Sequence, residues 1–428
     1  MSAKPLASLL FSRSAMAAAL LLTPLANASG DTPSLEEMWQ LIQQQNQEIA
    51  QLRNELANSR SQIQETAVQA EVAVSAIESL QTVTTAAANK THIGGYGELH
   101  YNQLSNDETD GRKDQIDFHR FVLFANHQFS DKLRLVSELE LEHSIAGDGQ
   151  PGEIELEQAY IEWDYAPRQQ AKLGLFLIPV GMLNETHEPE TFFGVERNNV
   201  EKNIIPTTWW EGGAALSGRW GEGFSYDAGI HSGLFLDPAA TNGDDEVTGT
   251  YKIRSGRQKV GNANATDFAY TGRLRYTGVP GLSLSISAQY QTDLLQGETF
   301  AETGAESISA TLLETHFSWQ RGDFGLKGLY AQWDIDSAIN DIQQGADKQN
   351  GFYLEPSFKV SDKLGLFARY SEWDNSAGSS STASDTNQWD IGVNYYLHPR
   401  VVIKADYQNQ DAASGGYDGL NLGVGYSF

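Results

Sequence analysis

From Thr91 to Phe428 the segments that alternate apolar and polar residues are joined by connections of two lengths, and the two lengths take turns. Very short connections fall at Ser130, Ala166, Gly221, Gly278, Gln320, Ser361 and His398. Longer polar ones span 105–114, 146–152, 181–211, 236–266, 295–306, 336–350, 375–386 and 411–417. Seven short and eight long connections delimit sixteen segments of roughly ten residues, which is the rhythm of a transmembrane β-barrel with tight turns at one rim and loops at the other. Within the segments the period is two. Leu282, Leu284, Ile286, Ala288 and Tyr290 alternate with Ser283, Ser285, Ser287 and Gln289, and Trp389, Ile391, Val393 and Tyr395 flank Asp390 and Asn394. The chain ends in the same way, with Leu420, Leu422, Val424, Tyr426 and Phe428 on one face. Lipid accepts such a face, and in hydrocarbon only a closed barrel pairs every backbone group of a strand. A soluble sandwich also alternates, but it must oppose its apolar faces between two sheets. The fold class expected is an all-β transmembrane barrel of about 16 antiparallel strands, spanning residues 91–428, with Tyr and Trp near strand ends as interfacial girdles.

Two segments precede the barrel. Residues 1–28 read as a signal peptide: Lys4 and Arg13, the apolar run from Ala15 to Leu22, and a small-x-small signal at Ala26–Ala28. Cleavage there removes two bases and no acid, taking the formal net charge from −27 to −29. Residues 29–90 read as an α-helical coiled coil and linker. Leu35, Met38, Ile42, Gln45, Ile49, Leu52, Leu56, Ser59, Ile63, Thr66, Ala70, Ala73, Ile77 and Leu80 keep 3-4 spacing without proline or glycine. So long a seam needs partner helices, and at 1.5 Å per residue the rod is about 70 Å long. No other stretch approaches the length of a membrane helix. The chain has no cysteine, so disulfides and thiolate chemistry are excluded. Its acidity argues against nucleic acid as a partner.

Strand parity sends charge into the lumen. The third strand places Leu133, Leu135, Leu139 and Leu141 outward and Arg134, Glu138, Glu140 and Glu142 inward. Later strands direct Arg273, Arg275, Lys327, Lys359, Arg369 and Lys404 inward. Glu138, Glu140, Arg273, Arg275, Lys327, Arg369 and Lys404 are therefore the candidate pore-lining residues. An acidic arc facing a basic one would sort charged solutes, with a mild anion preference that weakens when Arg273, Arg275 and Arg369 are neutralised. The third long connection carries Pro189, Pro206, Phe192, Phe193, Trp209 and Trp210 among many charges. Exposed loops rarely use so many large aromatics, so this one is expected to fold into the barrel and bring Glu188, Glu190, Arg197, Glu201 and Lys202 to a constriction. His100, His143, Glu142, Glu185, His187, Glu188 and Glu190 offer imidazole and carboxylate near the loop ends of the early strands. Their spacing fits no closed four-ligand motif, and parity sends His143 away from Glu142. No metal ligand and no cofactor is assigned.

"GGYGELHYN", "ELELEHS", "GEIELEQAYIEW", "GLFLIPVGMLNETHEPETFFGVERNNVEKNIIPTTWWEGG" and the terminal "GVGYSF" resemble the phosphate-selective porin O and P family. The coiled coil ahead of the barrel is similar to that of its DcaP-like, dicarboxylate-passing branch. The resemblance implies a homotrimer of sixteen-stranded barrels in the bacterial outer membrane, with the third loop folded inward. With the coiled coil in the periplasm, both barrel and rod would join the three chains. The function expected is a passive diffusion channel, and not an enzyme, for small hydrophilic solutes, including anions such as phosphate or dicarboxylates. The alternatives are a metal-associated or cation-passing porin, or an outer-membrane tether or adhesin. No motif orients a nucleophile beside a base. Phe428 is expected to act as the assembly signal for the barrel-assembly machinery, because it ends the strand that must close the barrel.

Overall fold

The computed structural model of the protein describes residues 36, 39, 43, 49, 90–106, 108–236, 252–299, 307–341, 344–379, 384–413 and 415–428. The expected signal peptide and coiled coil lie outside them, apart from Glu36, Trp39, Gln43 and Ile49, which are helical. Met1–Ala88 and Asn89–Phe428 are separate units, and the second is the barrel.

Sixteen strands follow one another in chain order: β1 (Thr91–Asn106), β2 (Gly111–Ser130), β3 (Leu133–Glu142), β4 (Ile154–Ala166), β5 (Gln169–Leu177), β6 (Trp210–Trp220), β7 (Phe224–His231) and β8 (Ala269–Tyr276) form the first half. The second half comprises β9 (Leu282–Gln291), β10 (Ala310–Arg321), β11 (Phe324–Ile335), β12 (Lys348–Ser361), β13 (Leu364–Asp374), β14 (Thr386–His398), β15 (Val401–Ala412) and β16 (Asp418–Ser427). Each pairs antiparallel with its neighbours, and β16 pairs β1, with Tyr96 opposite Ser427 and Ser105 opposite Asp418. Phe428 finishes the seam: its N–H donates to the Gly95 carbonyl at 2.9 Å and its carbonyl accepts from the Gly95 N–H at 3.1 Å. The ring of strands has no free edge. All seven expected turns and all eight expected loops fall between these strands.

The alternation sorts side chains as a barrel in lipid requires. Leu284, Ile286, Leu313, Leu354, Ile391, Ile403 and Leu422 are exposed on the outer face, while Ser285, Ser287, Gln289, Glu314, Asp390 and Lys404 are buried within. Outer aromatics gather near the turns, where Trp220 stacks on Phe224 and Phe224 packs against Tyr276. Others gather near the loops, where Tyr370 meets Trp389. Amphipathic rings at both ends of the strands suit the two membrane interfaces.

The apolar core lies inside the barrel. Loop L3, residues 178–209 between β5 and β6, folds inward and packs Val180, Val200, Ile204, Ile205 and Trp209 against Leu312, Leu329, Ala331, Trp333, Tyr353 and Trp373 of β10–β13. Leu234, Leu236 and Ile253 of loop L4, residues 232–268 between β7 and β8, join the same cluster. Each large side chain removed from water here contributes about 1.5–3 kcal/mol. The indole N–H of Trp333 donates to the Ile204 carbonyl at 3.0 Å, so even the buried backbone of L3 is satisfied by the wall.

Candidate functional site

L3 crosses the lumen to the far wall and is held there by side chains that parity had assigned to the pore. The Lys404 Nζ donates to the Gly194 carbonyl at 2.8 Å and stands 3.5 Å over the Phe192 ring. Arg369 donates from Nη1 to the Phe193 carbonyl at 3.3 Å, and Asp406 accepts from the Val195 N–H at 2.6 Å. Flat positions on β16 let the loop approach: a Cβ on Gly425 would lie 2.3 Å from Pro189, and one on Gly423 would lie 3.1 Å from Val195.

Most of the charge that parity assigned to the two arcs is compensated locally. Arg369 is buried between Glu355 at 3.3 Å and Asp390 at 3.0 Å. Arg273 pairs with Asp227 at 2.7 Å and with Glu185 of L3, and Arg275 lies 3.7 Å from Glu185. These two arginines line a charged vestibule at the turn end of β4–β8. Lys327 is half-buried, and Lys359 is exposed beside Asp362 at 2.9 Å. On the acidic side Glu138 and Glu140 are both buried. Gln158 donates to Glu138 at 2.5 Å, and Arg120 lies 4.0 Å from Glu140 and 2.6 Å from Glu98.

Within L3 the charged residues divide. Glu201 is a buried lock: its carboxylate accepts from the Met182 and Leu183 N–H groups, both at 2.7 Å, and from the Tyr353 hydroxyl at 2.9 Å. Arg197 is buried and donates to the Thr208 hydroxyl at 2.7 Å. Glu190 bonds the Ser427 hydroxyl, and Glu188 is half-buried beside Thr191, whose hydroxyl donates to its carbonyl. Lys202 points into open space.

That space is a cavity of about 190 Å³ between L3, L4 and the wall of β1–β4. Glu98, Glu142, Glu155, Glu157 and Glu196 supply its carboxylates. Its cations are Arg120, Arg197, Lys202, Lys259 and two residues not selected from the sequence, Arg254 and Arg257. L4 supplies them from a short 3₁₀ turn, Ile253–Gly256, anchored because Ile253 is fully buried in the core. Arg257 donates to the Thr207 and Thr208 carbonyls of L3, and Arg254 to Asn203 at 3.2 Å. Burial, and then the neighbouring Arg257, hold the Arg254 guanidinium below its ordinary value, although a guanidinium stays charged at neutral pH. Among the described residues, none of the ion pairs within 4.0 Å involves Lys202, Arg254 or Arg257. A solute entering this cavity therefore meets Lys202, Arg254, Arg257 and the lining Arg197, four cations with no carboxylate within 4.0 Å among the described residues.

A closed sixteen-stranded barrel narrowed by an inward loop has the architecture of a general diffusion pore. The Gram-negative porin family profile matches residues 70–415. The chain belongs to the Gram-negative porins. It is an outer-membrane channel for small solutes. An uncharacterized protein of Aquifex aeolicus (strain VF5) is 31% identical to this porin over 344 residues, which cover 74% of this chain and 75% of that one. Among solved structures, the outer membrane channel DcaP of Acinetobacter baumannii superposes with a TM-score of 0.54 at 12% identity, covering 79% of this chain and 97% of that one. The anion-selective porin of Comamonas acidovorans gives 0.53 at 14% identity, with 79% and 99% covered. OmpF of Salmonella typhi gives 0.53 at 14%, with 79% and 98% covered. At such identities the likeness is one of fold.

Proposed function

We propose that this porin favours small anions, of the size and charge of phosphate or a dicarboxylate, and that Arg254, Arg257 and Lys202 form the attracting face of its narrow zone. The observation that carries this reading is the contrast in compensation. The strand arginines Arg273 and Arg369 are ion-paired, whereas the loop cations face the cavity without a carboxylate partner. Arg275 and Lys327, less fully paired, extend the positive face toward the turns. Resemblance of the L3 segment to the phosphate-selective porin O and P family, and to its DcaP-like branch, supports the same solute class. A unit charge about 5 Å from a permeating ion in a water-like medium is worth about 0.8 kcal/mol, or about fourfold in occupancy. Reversal potentials across a salt gradient in a planar bilayer test this. Arg254→Gln and Arg257→Gln should each lower the anion-to-cation permeability ratio several-fold and together make the pore neutral or cation-preferring. An unchanged reversal potential in the double variant would remove these residues from the permeation path.

The working form we propose is a homotrimer, exported by cleavage after Ala28, with residues 29–90 as a periplasmic rod and 91–428 as the barrel inserted by the barrel-assembly machinery. The alternating strand pattern, the 3-4 seam and the signal-peptide composition support it.

A further inference from the structure

Two carboxylates and an imidazole converge on one buried point behind L3. Glu138 on β3, Glu157 on β4 and His187 in L3 are 2%, 1% and 3% exposed. The His187 Nε2 lies 3.6 Å from Glu138 Oε1 and 3.7 Å from Glu157 Oε2, and the three ligand atoms all lie within 4.8 Å of one another. These separations exceed a hydrogen bond. All three atoms are buried with no hydrogen-bond partner. Buried polar atoms are nearly always satisfied, so three orphans aimed at a common point call for an occupant.

The backbone builds this point deliberately. Glu138 faces Gln158 across the β3–β4 ladder while Leu139 faces Leu156, so Glu157 is the extra residue of a β-bulge. A bulge breaks the period of two and re-aims a side chain. Here it turns Glu157 inward next to Gln158, whose amide donates to Glu138 Oε2 at 2.5 Å and leaves Oε1 free. On the other side, the His187 Nδ1 lies 3.0 Å from the Asn184 carbonyl, which can only accept. The ring proton therefore sits on Nδ1, and Nε2 faces the two carboxylates. A backbone carbonyl behind the imidazole is the outer partner that fixes a metal-binding histidine in its ligating tautomer.

Charge points the same way. Glu98, Glu138, Glu140 and Glu157 are four buried carboxylates near one guanidinium, Arg120, which is 2.6 Å from Glu98 and 4.0 Å from Glu140, with His100 3.3 Å from Glu98. Isolated buried charge is strongly unfavourable, so a cation or a proton must offset the remaining carboxylates, and a metal ion serves Glu138 and Glu157 together. Among the described residues, the other groupings of acid and histidine that could hold an ion are already engaged. Glu153 and Glu155 hold Lys259, Asp117 binds His143 at 2.8 Å and His119 at 3.2 Å, and His100 bonds Glu196 at 3.2 Å.

We propose that Glu138, Glu157 and His187 bind one divalent transition-metal ion of the zinc type per chain, and that the ion staples L3 to the acidic wall of β3–β4. One imidazole nitrogen and two carboxylate oxygens, with a fourth position for water, form a set that zinc accepts. Bonds of about 2.0–2.1 Å in a tetrahedron place ligands about 3.3–3.5 Å apart, close to the 3.6 and 3.7 Å between the His187 Nε2 and the two carboxylate oxygens. Calcium and magnesium want more oxygen ligands than the point offers. Glu157 also lines the lumenal cavity, so the ion enters from the pore. The proposal does not depend on which solute the pore passes.

The test uses the folded porin in detergent, stripped with a chelator and dialysed against Zn²⁺. Bound metal should reach one zinc per chain, and Co²⁺ in its place should show the visible bands of a low-coordinate site. His187→Gln and Glu157→Gln should each lower the stoichiometry by one, while His143→Gln should not. Chelation should raise the open-channel current noise of the wild type and leave that of His187→Gln unchanged. Absence of zinc uptake by the wild type, undiminished uptake by His187→Gln, or noise indifferent to chelation would overturn the staple. If the His187 variant does not assemble, anomalous scattering at the zinc edge from wild-type crystals decides. A peak between the three side chains supports the site, and a peak elsewhere or none rejects it.

Discussion

Arg369 and Arg254 are both lumenal guanidinium groups, yet they serve different ends because of what stands beside them. Arg369 is fixed by Glu355 and Asp390 and reaches the L3 backbone, so its charge is used up in holding a loop. Arg369→Gln would leave two carboxylates buried without a counter-ion, and breaking a buried pair in this way typically costs about 3–5 kcal/mol. The temperature at which the folded barrel unfolds on a semi-native gel should fall, while the reversal potential stays close to wild type. A large shift in selectivity with unchanged thermal stability would mean that Arg369 acts in the pore instead. Parity read from the sequence finds such a residue but cannot tell a paired charge from a free one, since the partner lies on another strand. It also misses Arg254 and Arg257, because a long polar loop has no period to read.

The strands were the most legible elements, and for a physical reason. A face against lipid and a face against a wet lumen impose a period of two on every strand, so turns, loops and strand count could be read from Thr91 onward. The inward fold of L3 was legible from its aromatics: Trp209 packs in the core, Phe192 lies under Lys404 and Phe193 stacks on Phe367 of the far wall. The bulge at Glu157 was not, since one extra residue shifts parity without any mark in composition. The β16–β1 seam tests how far the terminal residue matters. Phe428 contributes the last two backbone bonds of that seam, to Gly95, and its ring stacks on Phe121 at 6.1 Å. Deleting Phe428 should reduce the yield of heat-modifiable, assembled barrel several-fold, while the channels that do form keep wild-type conductance. Full assembly with altered conductance would assign Phe428 to the pore.

For the whole molecule, a formal net charge of −27 says little about permeation, because charges more than about 10 Å from the narrow zone are screened at moderate salt. Its distribution along the chain matters more. The barrel needs lipid and its own closure, and neither calls for a rod, yet the sequence keeps fourteen seam positions in 3-4 register between Leu35 and Leu80. Such a seam is buried only against other helices, and copies of the same chain are the nearest source. In the proposed homotrimer, joining three barrels through a second contact makes each dissociation event reversible within the complex and raises the effective concentration of the freed subunit. Deleting residues 31–81 should therefore leave single-channel conductance and reversal potential unchanged and lower the temperature at which trimers fall to monomers on a semi-native gel. The dissociation of the shortened protein should also become steeper with dilution, since only barrel contacts remain. If the deletion instead silenced channels already inserted in a bilayer, the rod would belong to the permeation path. If trimer dissociation were unmoved, the seam would have to bury itself against a different partner.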